Sequence, residues 1–290
     1  MIIIAFGSLA LAILTSSLRW RQRAWPSLLA GLLAVSAAAW TGMLTGPALA
    51  VALLLWLLTQ WQPASSIDAS GRWPVRLLYW AVLTVLSLAL ALHLLPGTDN
   101  PLLVDKLQLA ADTVPYTLYA NFDKGWAGYC LLLALSTEGR CRKPLWQLLA
   151  AAMLLVALTL SLALGLGLIR FDPKWPLFLP QFIFCNLLLT CVAEEALFRG
   201  VLQQSLTRQC EQRGYSWYWA LLLASLLFGL AHLGGGWAYV LVATVAGAGY
   251  GWLYRQSGRL WPAILLHFGL NLSHLLLFSY PMLLPAFTAN

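Results

Sequence analysis

Three ionisable side chains lie close together inside an otherwise apolar run, residues 178 to 206. They are Glu194, Glu195 and Arg199. Each costs roughly 2.5 to 3.5 kcal/mol at the centre of a membrane-spanning helix, and such residues usually face a bundle interior or a water-filled cavity. Because these groups are retained at that cost, the pattern predicts a functional role for them.

The helical spacing of these residues assigns them different partners. Glu195 and Arg199 are four positions apart, so they share a face, with the carboxylate on the N-terminal side that favours an ion pair. Glu194 is rotated by about 100° from Glu195 and points to a different side. The partner of Glu194 must therefore lie on another helix.

Two further apolar runs carry histidine at similar spacing. Phe228 precedes His232 by four positions, and His267 precedes Asn271 by four. A carboxylate with a histidine can deprotonate water, and a second histidine with an amide can donate to the oxyanion that forms when water attacks a carbonyl. The combination with Glu194 suits amide hydrolysis.

These three motifs, taken together, resemble those of the CPBP family of intramembrane proteases, also called the CAAX prenyl protease or Abi family. The resemblance covers about residues 178 to 275. Its motifs are E-E-x-x-x-R, F-x-x-x-H and H-x-x-x-N, and they stand here as Glu194, Glu195 and Arg199, then Phe228 and His232, then His267 and Asn271. Each motif alone is weak evidence, but all three occur in order on separate predicted helices.

The resemblance implies an endopeptidase that cuts a membrane-associated polypeptide, either prenylated or related to bacteriocin processing. Glu194 and His232 would activate the water. His267 and Asn271 would form the oxyanion hole. The remaining motif residues would hold the site, namely Glu195, Arg199 and Phe228.

A metal mechanism is the alternative for the same residues. Glu194, His232 and His267 could form a three-ligand zinc site with an open position. However, the sequence has no H-E-x-x-H motif, and the oxyanion-hole interpretation also gives Asn271 a role. We therefore favour a glutamate mechanism without a cofactor, with zinc as the alternative.

Non-catalytic interpretations compete with hydrolysis. The charged cluster could be a buried ion-pair network that fixes helix register, and His267 with Asn271 could be polar contacts between helices. A non-enzymatic transporter or immunity protein could use the buried Glu and His residues to bind protons or ions. A family member that has lost activity could serve as a scaffold. The coincidence of all three motifs favours the enzyme.

The elements that must position these residues are membrane-spanning helices. Of 290 residues, 61% are hydrophobic and 9% charged, far from the soluble balance of about 25% charged. The sequence predicts an all-α, polytopic transmembrane bundle of about eight to ten spans, with 1–290 as a single integral membrane domain and 178–275 as its catalytic core. The predicted segments are 2–18, 26–42, 46–61, 75–95, 117–136, 145–169, 178–206, 216–233, 237–254 and 260–280.

The charge distribution bears on partners and location. The net charge is +7, but Lys and Arg cluster in short loops between apolar runs, which indicates topology and not nucleic-acid binding. The five cysteines form no C-x-x-C pair. We expect an integral protein of a bacterial plasma membrane whose partners are the lipid bilayer and a membrane-associated peptide or protein substrate.

Overall fold

The chain folds almost entirely into helices. The computed structural model describes residues 1–18, 24–61, 73–135 and 143–284. The all-α prediction is confirmed, and each predicted apolar segment contains one helix. The helices are α1 (Ile2–Leu14), α2 (Trp25–Trp40), α3 (Gly46–Gln60), α4 (Trp73–Ala91), α5 (Phe122–Ala134), α6 (Leu145–Gly165), α7 (Leu179–Gln212), α8 (Tyr218–Leu230), α9 (Trp237–Ser257) and α10 (Leu260–Leu277).

Helix boundaries follow local sequence signals. α2 and α3 begin with proline in the first turn, where a missing N–H costs nothing. α9 is capped by Gly258, whose φ of 68° lies in the left-handed region that glycine adopts without a Cβ clash. Only Gly258 and Arg259 separate α9 from α10, so this glycine helps to set a tight connection between the two helices.

Two compact units are present, and the first contains the glutamate motif. It comprises Met1–Pro101, Ala120–Thr137 and Leu188–Val201. In it α5 packs against α1, α3, α4 and the middle of α7. Trp126 and Tyr129 of α5 are fully buried, and both donate to main-chain oxygens, of Ala52 and Ser27 respectively. α5 is therefore the central helix of this unit.

The second unit contains both histidine motifs. It comprises Leu102–Tyr119, Glu138–Leu187 and Leu202–Asn290. α9 packs against α6, α8 and α10, and α10 also packs against α6. An antiparallel hairpin of β1 (Leu102–Leu107) and β2 (Tyr116–Tyr119) precedes α5. The predicted span 117–136 is therefore wrong at its start, since its first residues form β2 and the helix begins at Phe122. The division into one domain or more stays a prediction.

The surface of the helices is strongly apolar. On α6, Trp146 is 68% exposed and Met153 71% exposed, and several leucines of the same helix are also exposed. Among the described residues, α6, α7 and α10 are long and apolar enough to cross a membrane, and α1, α2, α3, Val75–Ala91 and α8 are shorter apolar helices. Such surfaces belong in lipid, so this is an integral membrane protein.

Candidate active site

The glutamate motif lies at an irregular place in α7. Two π-helical stretches, Cys185–Cys191 and Ala196–Gln203, flank a single α-helical turn, Val192–Glu195. The wider π turns change the direction in which successive side chains project, and such stretches occur frequently at functional sites. The motif therefore occupies the part of the helix whose geometry departs most from a regular span.

Glu195 and Arg199 form the predicted ion pair. Nε of Arg199 donates to Oε2 of Glu195 at 2.9 Å, and both side chains are fully buried. The guanidinium also lies 6.0 Å from the ring centroid of Phe198. The pair is thus a fixed feature of the helix interior, which confirms the partner assigned from the four-residue spacing.

Glu194 has its partner on another helix, as the sequence predicted. Nζ of Lys124, on α5, lies 2.8 Å from Oε1 of Glu194, and the two side chains are 20% and 19% exposed. The contact is a salt bridge between two partly buried side chains of different helices. The spacing of the motifs gives no signal for this partner, which lies 70 positions away along the chain.

The first turn of α5 is anchored by a polar cluster around a buried carboxylate. Asp123 is fully buried, and its carboxylate lies 2.6 Å from Nδ1 of His93 and 2.9 Å from Nδ2 of Asn100. Asn100 Oδ1 in turn accepts from the main-chain N–H of Phe122. The cluster therefore fixes the first turn of α5 and with it the position of Lys124.

Small residues let α5 approach α7 closely. A Cβ added to Gly128 would lie 2.7 Å from Cα of Ala193, and one added to Gly125 would lie 2.5 Å from a methyl of Leu189. Close approach through small residues is the usual way in which membrane helices pack. Because Ala193 immediately precedes Glu194, this contact determines how far the Lys124 ammonium must reach.

The second unit contains a cavity of about 60 Å³ between α6, α8, α9 and α10. It brings together the predicted residues of both histidine motifs. Its wall is largely apolar on the α6 and α9 sides, where Ala163, Ala243 and Ala246 leave space. The polar side chains that line it are Thr159, His232, His267, Asn271 and His274, with the two tyrosines Tyr239 and Tyr250. An apolar cavity with a few convergent polar groups is typical of a ligand site.

His232 has a defined tautomer. Its Nδ1 lies 2.8 Å from the main-chain oxygen of Phe228. Since a carbonyl can only accept, Nδ1 must carry the proton, which leaves Nε2 as a basic nitrogen. The ring also packs at 4.7 Å from the ring of Phe228 and 5.8 Å from that of Tyr239. His232 is therefore oriented as a proton acceptor.

His267 is held by two aromatic rings. It is 4% exposed and stacks on Tyr250 with ring centroids 4.6 Å apart, while the edge of Phe228 meets it at 5.7 Å. Phe228 thus contacts both histidines, which gives the F-x-x-x-H phenylalanine a structural role. The motifs give no signal for Tyr250, which only the packing of α9 on α10 reveals.

Asn271 is oriented by a residue that sequence analysis did not single out. Its Nδ2 donates to Oδ1 of Asn186 at 3.2 Å. Asn186 lies in the first π-helical stretch of α7, eight positions before Glu194. Asn186 is a polar residue inside the apolar run from 178 to 206. The energetic cost of a polar group in the membrane, which identified the glutamates, could therefore also have identified it.

The predicted site residues therefore form three local groups. Glu194 pairs with Lys124, Glu195 pairs with Arg199, and the histidine motifs share one cavity. Within the described ranges, no group of three or more His, Cys, Asp or Glu side chains is arranged to hold a metal ion.

Comparison with known proteins identifies one family. Residues 174–273 match the family model described as Rce1-like, type II CAAX prenyl endopeptidase. The matched segment contains all seven motif residues, and it confirms the resemblance to the CPBP and CAAX protease family. No curated protein and no solved structure matches the chain.

Proposed function

Since residues 174–273 carry an Rce1-like CAAX prenyl endopeptidase domain in an integral membrane protein, we propose that the protein hydrolyses a peptide bond near the C terminus of a prenylated polypeptide. The observation that best supports this is the cavity that holds His232, His267 and Asn271 together among apolar walls. A CAAX-type endopeptidase needs both a hydrolytic group and an apolar environment for a lipidated chain. As its location we propose a bacterial plasma membrane, in which the exposed apolar helix surfaces contact lipid.

The proposed mechanism begins with activation of water. In the mechanism that the family match implies, Glu194 takes one proton from a water molecule, whose oxygen attacks the scissile carbonyl carbon, and Nε2 of His232 assists as a hydrogen-bond acceptor. The carbonyl π bond breaks as the new C–O bond forms, which leaves a tetrahedral oxyanion. An N–H of His267 and the amide of Asn271 donate to this oxyanion.

Collapse of the intermediate completes the reaction. The carbonyl re-forms, the C–N bond breaks, and the accepted proton is transferred to the leaving nitrogen. The proton of the newly formed carboxylic acid also passes to the amine, so the products are a carboxylate and an ammonium group. The enzyme returns to its starting protonation state. Glu195 and Arg199 take no part in these steps, since they hold α7 in place from its buried side.

Cleavage by purified protein tests this proposal. A farnesylated peptide with a C-terminal tetrapeptide, and unprenylated membrane-tethered peptides of the same sequence, are incubated in detergent micelles with and without a strong chelator. We expect cleavage of the farnesylated peptide that the chelator leaves unchanged. Chelator-sensitive cleavage would favour the zinc alternative. Failure to cut any peptide, with proton or ion flux through reconstituted vesicles, would favour the non-enzymatic alternative.

Lys124 provides a second test, through its contact with Glu194. Lys124→Met removes the ammonium but keeps the length of the side chain. We expect kcat to fall about 10-fold to 100-fold, because the isolated carboxylate loses about 1 to 3 kcal/mol of stabilisation in a partly buried site. The measurement is kcat and KM for the farnesylated peptide, with KM little changed.

Lys124→Arg is the matched control for that variant. It keeps the positive charge, so it is expected to retain more activity than Lys124→Met. Equal and large losses in both variants would mean that the shape of the lysine side chain matters and its charge does not. Unchanged kcat in both would contradict a role for the Lys124 contact.

A further inference from the structure

His274 lies in the same cavity as the proposed catalytic groups, although no family motif includes it. It stands on α10 three positions after Asn271 and seven after His267, and its side chain lines the cavity with theirs. The mechanism above does not use it. A third histidine at this place therefore calls for a separate explanation.

The tautomer of His274 is fixed by one hydrogen bond. Nε2 lies 3.1 Å from the main-chain oxygen of Ser279, and since a carbonyl can only accept, Nε2 carries the proton. Nδ1 is then a hydrogen-bond acceptor. Within the part of the chain that the structure describes, Nδ1 makes no hydrogen bond. His274, whose side chain lines the cavity, thus keeps one ring nitrogen as a hydrogen-bond acceptor.

The segment that holds His274 is itself restrained. Ser279 exchanges two hydrogen bonds with Arg170, one through its main-chain N–H and one through its hydroxyl. The ring of Tyr280 packs edge-on against His274 with centroids 5.0 Å apart. The imidazole cannot turn without breaking these contacts, so Nδ1 is pre-organised. A ligand that binds to Nδ1 would therefore lose little side-chain entropy.

The position of His274 on α10 matches the spacing of an extended peptide. Three residues of helix place it about 4.5 Å further along the axis than Asn271. In an extended chain, the carbonyl of one residue and the N–H two residues later lie on the same edge, about 4 to 4.5 Å apart along the strand. If a substrate carbonyl is bound by Asn271, the substrate N–H two residues later therefore lies beside His274.

We propose that Nδ1 of His274 accepts a hydrogen bond from the main-chain N–H two residues beyond the scissile carbonyl of the substrate. This assignment rests on the proposed hydrolysis, and it makes His274 a substrate-positioning residue. It fixes the register of the departing C-terminal segment while His267 and Asn271 hold the carbonyl. The contact recognises main chain, so it selects an extended backbone without selecting a side chain.

A substitution in the substrate tests this contact directly. The farnesylated peptide is compared with its depsipeptide, in which an ester oxygen replaces that single N–H. Dissociation constants are measured by fluorescence anisotropy with the Glu194→Gln protein, so that no turnover interferes. We expect the ester to weaken binding about 10-fold, the effect of leaving a desolvated acceptor without its donor.

Two variants of His274 provide matched controls in the same background. His274→Gln can keep a donor to the oxygen of Ser279 but removes the acceptor at Nδ1, whereas His274→Asn places an amide oxygen near Nδ1 and gives up the Ser279 contact. We expect the ester effect to vanish in His274→Gln and to survive in His274→Asn. The opposite order would overturn the proposal in favour of a loop anchor.

Failure of this inference can be told apart from failure of the proposed function. Cleavage by the wild-type protein with equal affinity for peptide and depsipeptide would overturn the role of His274 and leave the protease intact. An ester effect that depends on His274, without wild-type cleavage of either compound, would support the binding contact and contradict hydrolysis.

Discussion

Glu194→Gln is expected to lower kcat for the farnesylated peptide by about 10²-fold to 10⁴-fold, the contribution usual for a positioned acid or base. Glutamine has nearly the same shape and can still accept a hydrogen bond from Lys124 through its amide oxygen. It cannot take a proton from water. The loss should therefore appear in kcat with little change in KM, measured as peptide cleavage in detergent micelles.

A folding measurement accompanies that experiment. Because Glu194 is partly exposed and its partner Lys124 lies on a neighbouring helix, the denaturation midpoint of Glu194→Gln should stay close to that of the wild-type protein. Full activity in a folded Glu194→Gln protein would contradict the glutamate mechanism. Loss of activity together with loss of folding would instead point to the ion-pair network as the reason for retaining the carboxylate.

Arg199→Met is expected to cost about 3 to 5 kcal/mol of stability, since breaking a buried pair leaves an uncompensated charge on Glu195. Both side chains are fully buried and joined at 2.9 Å. Methionine has a comparable length and suits an apolar interior. The measurement is chemical denaturation in mild detergent, which we expect to show a lower midpoint with an unchanged slope.

The double variant Glu195→Leu/Arg199→Met distinguishes the loss of a charge pair from the loss of packing. Replacing a whole buried pair by apolar residues is often neutral or stabilising by about 1 to 4 kcal/mol. We therefore expect the double variant to recover most of the midpoint lost in Arg199→Met. A double variant as unstable as the single one would show that the guanidinium shape, including its contact with Phe198, matters more than the charge.

The sequence by itself determined the helices and the local pairings within them. In lipid, every polar group of the main chain must form its hydrogen bond within the protein, so long apolar runs fold as helices. The four-residue spacing was enough to pair Glu195 with Arg199, and that pair is present at 2.9 Å. The motif residues, and the family that they resemble, could also be identified from the sequence, since each motif spans little more than one helical turn.

Only the tertiary structure decided which residues meet across helices. Lys124 reaches Glu194 over 70 positions, and Asn186 orients Asn271 over 85. Helical periodicity states which face a residue occupies but not which neighbour that face meets, because the neighbour depends on close approaches such as that of Gly128 to Ala193. Histidine tautomers depend on which oxygen each ring nitrogen reaches, so the roles of His232 and His274 also emerged only from the packed structure.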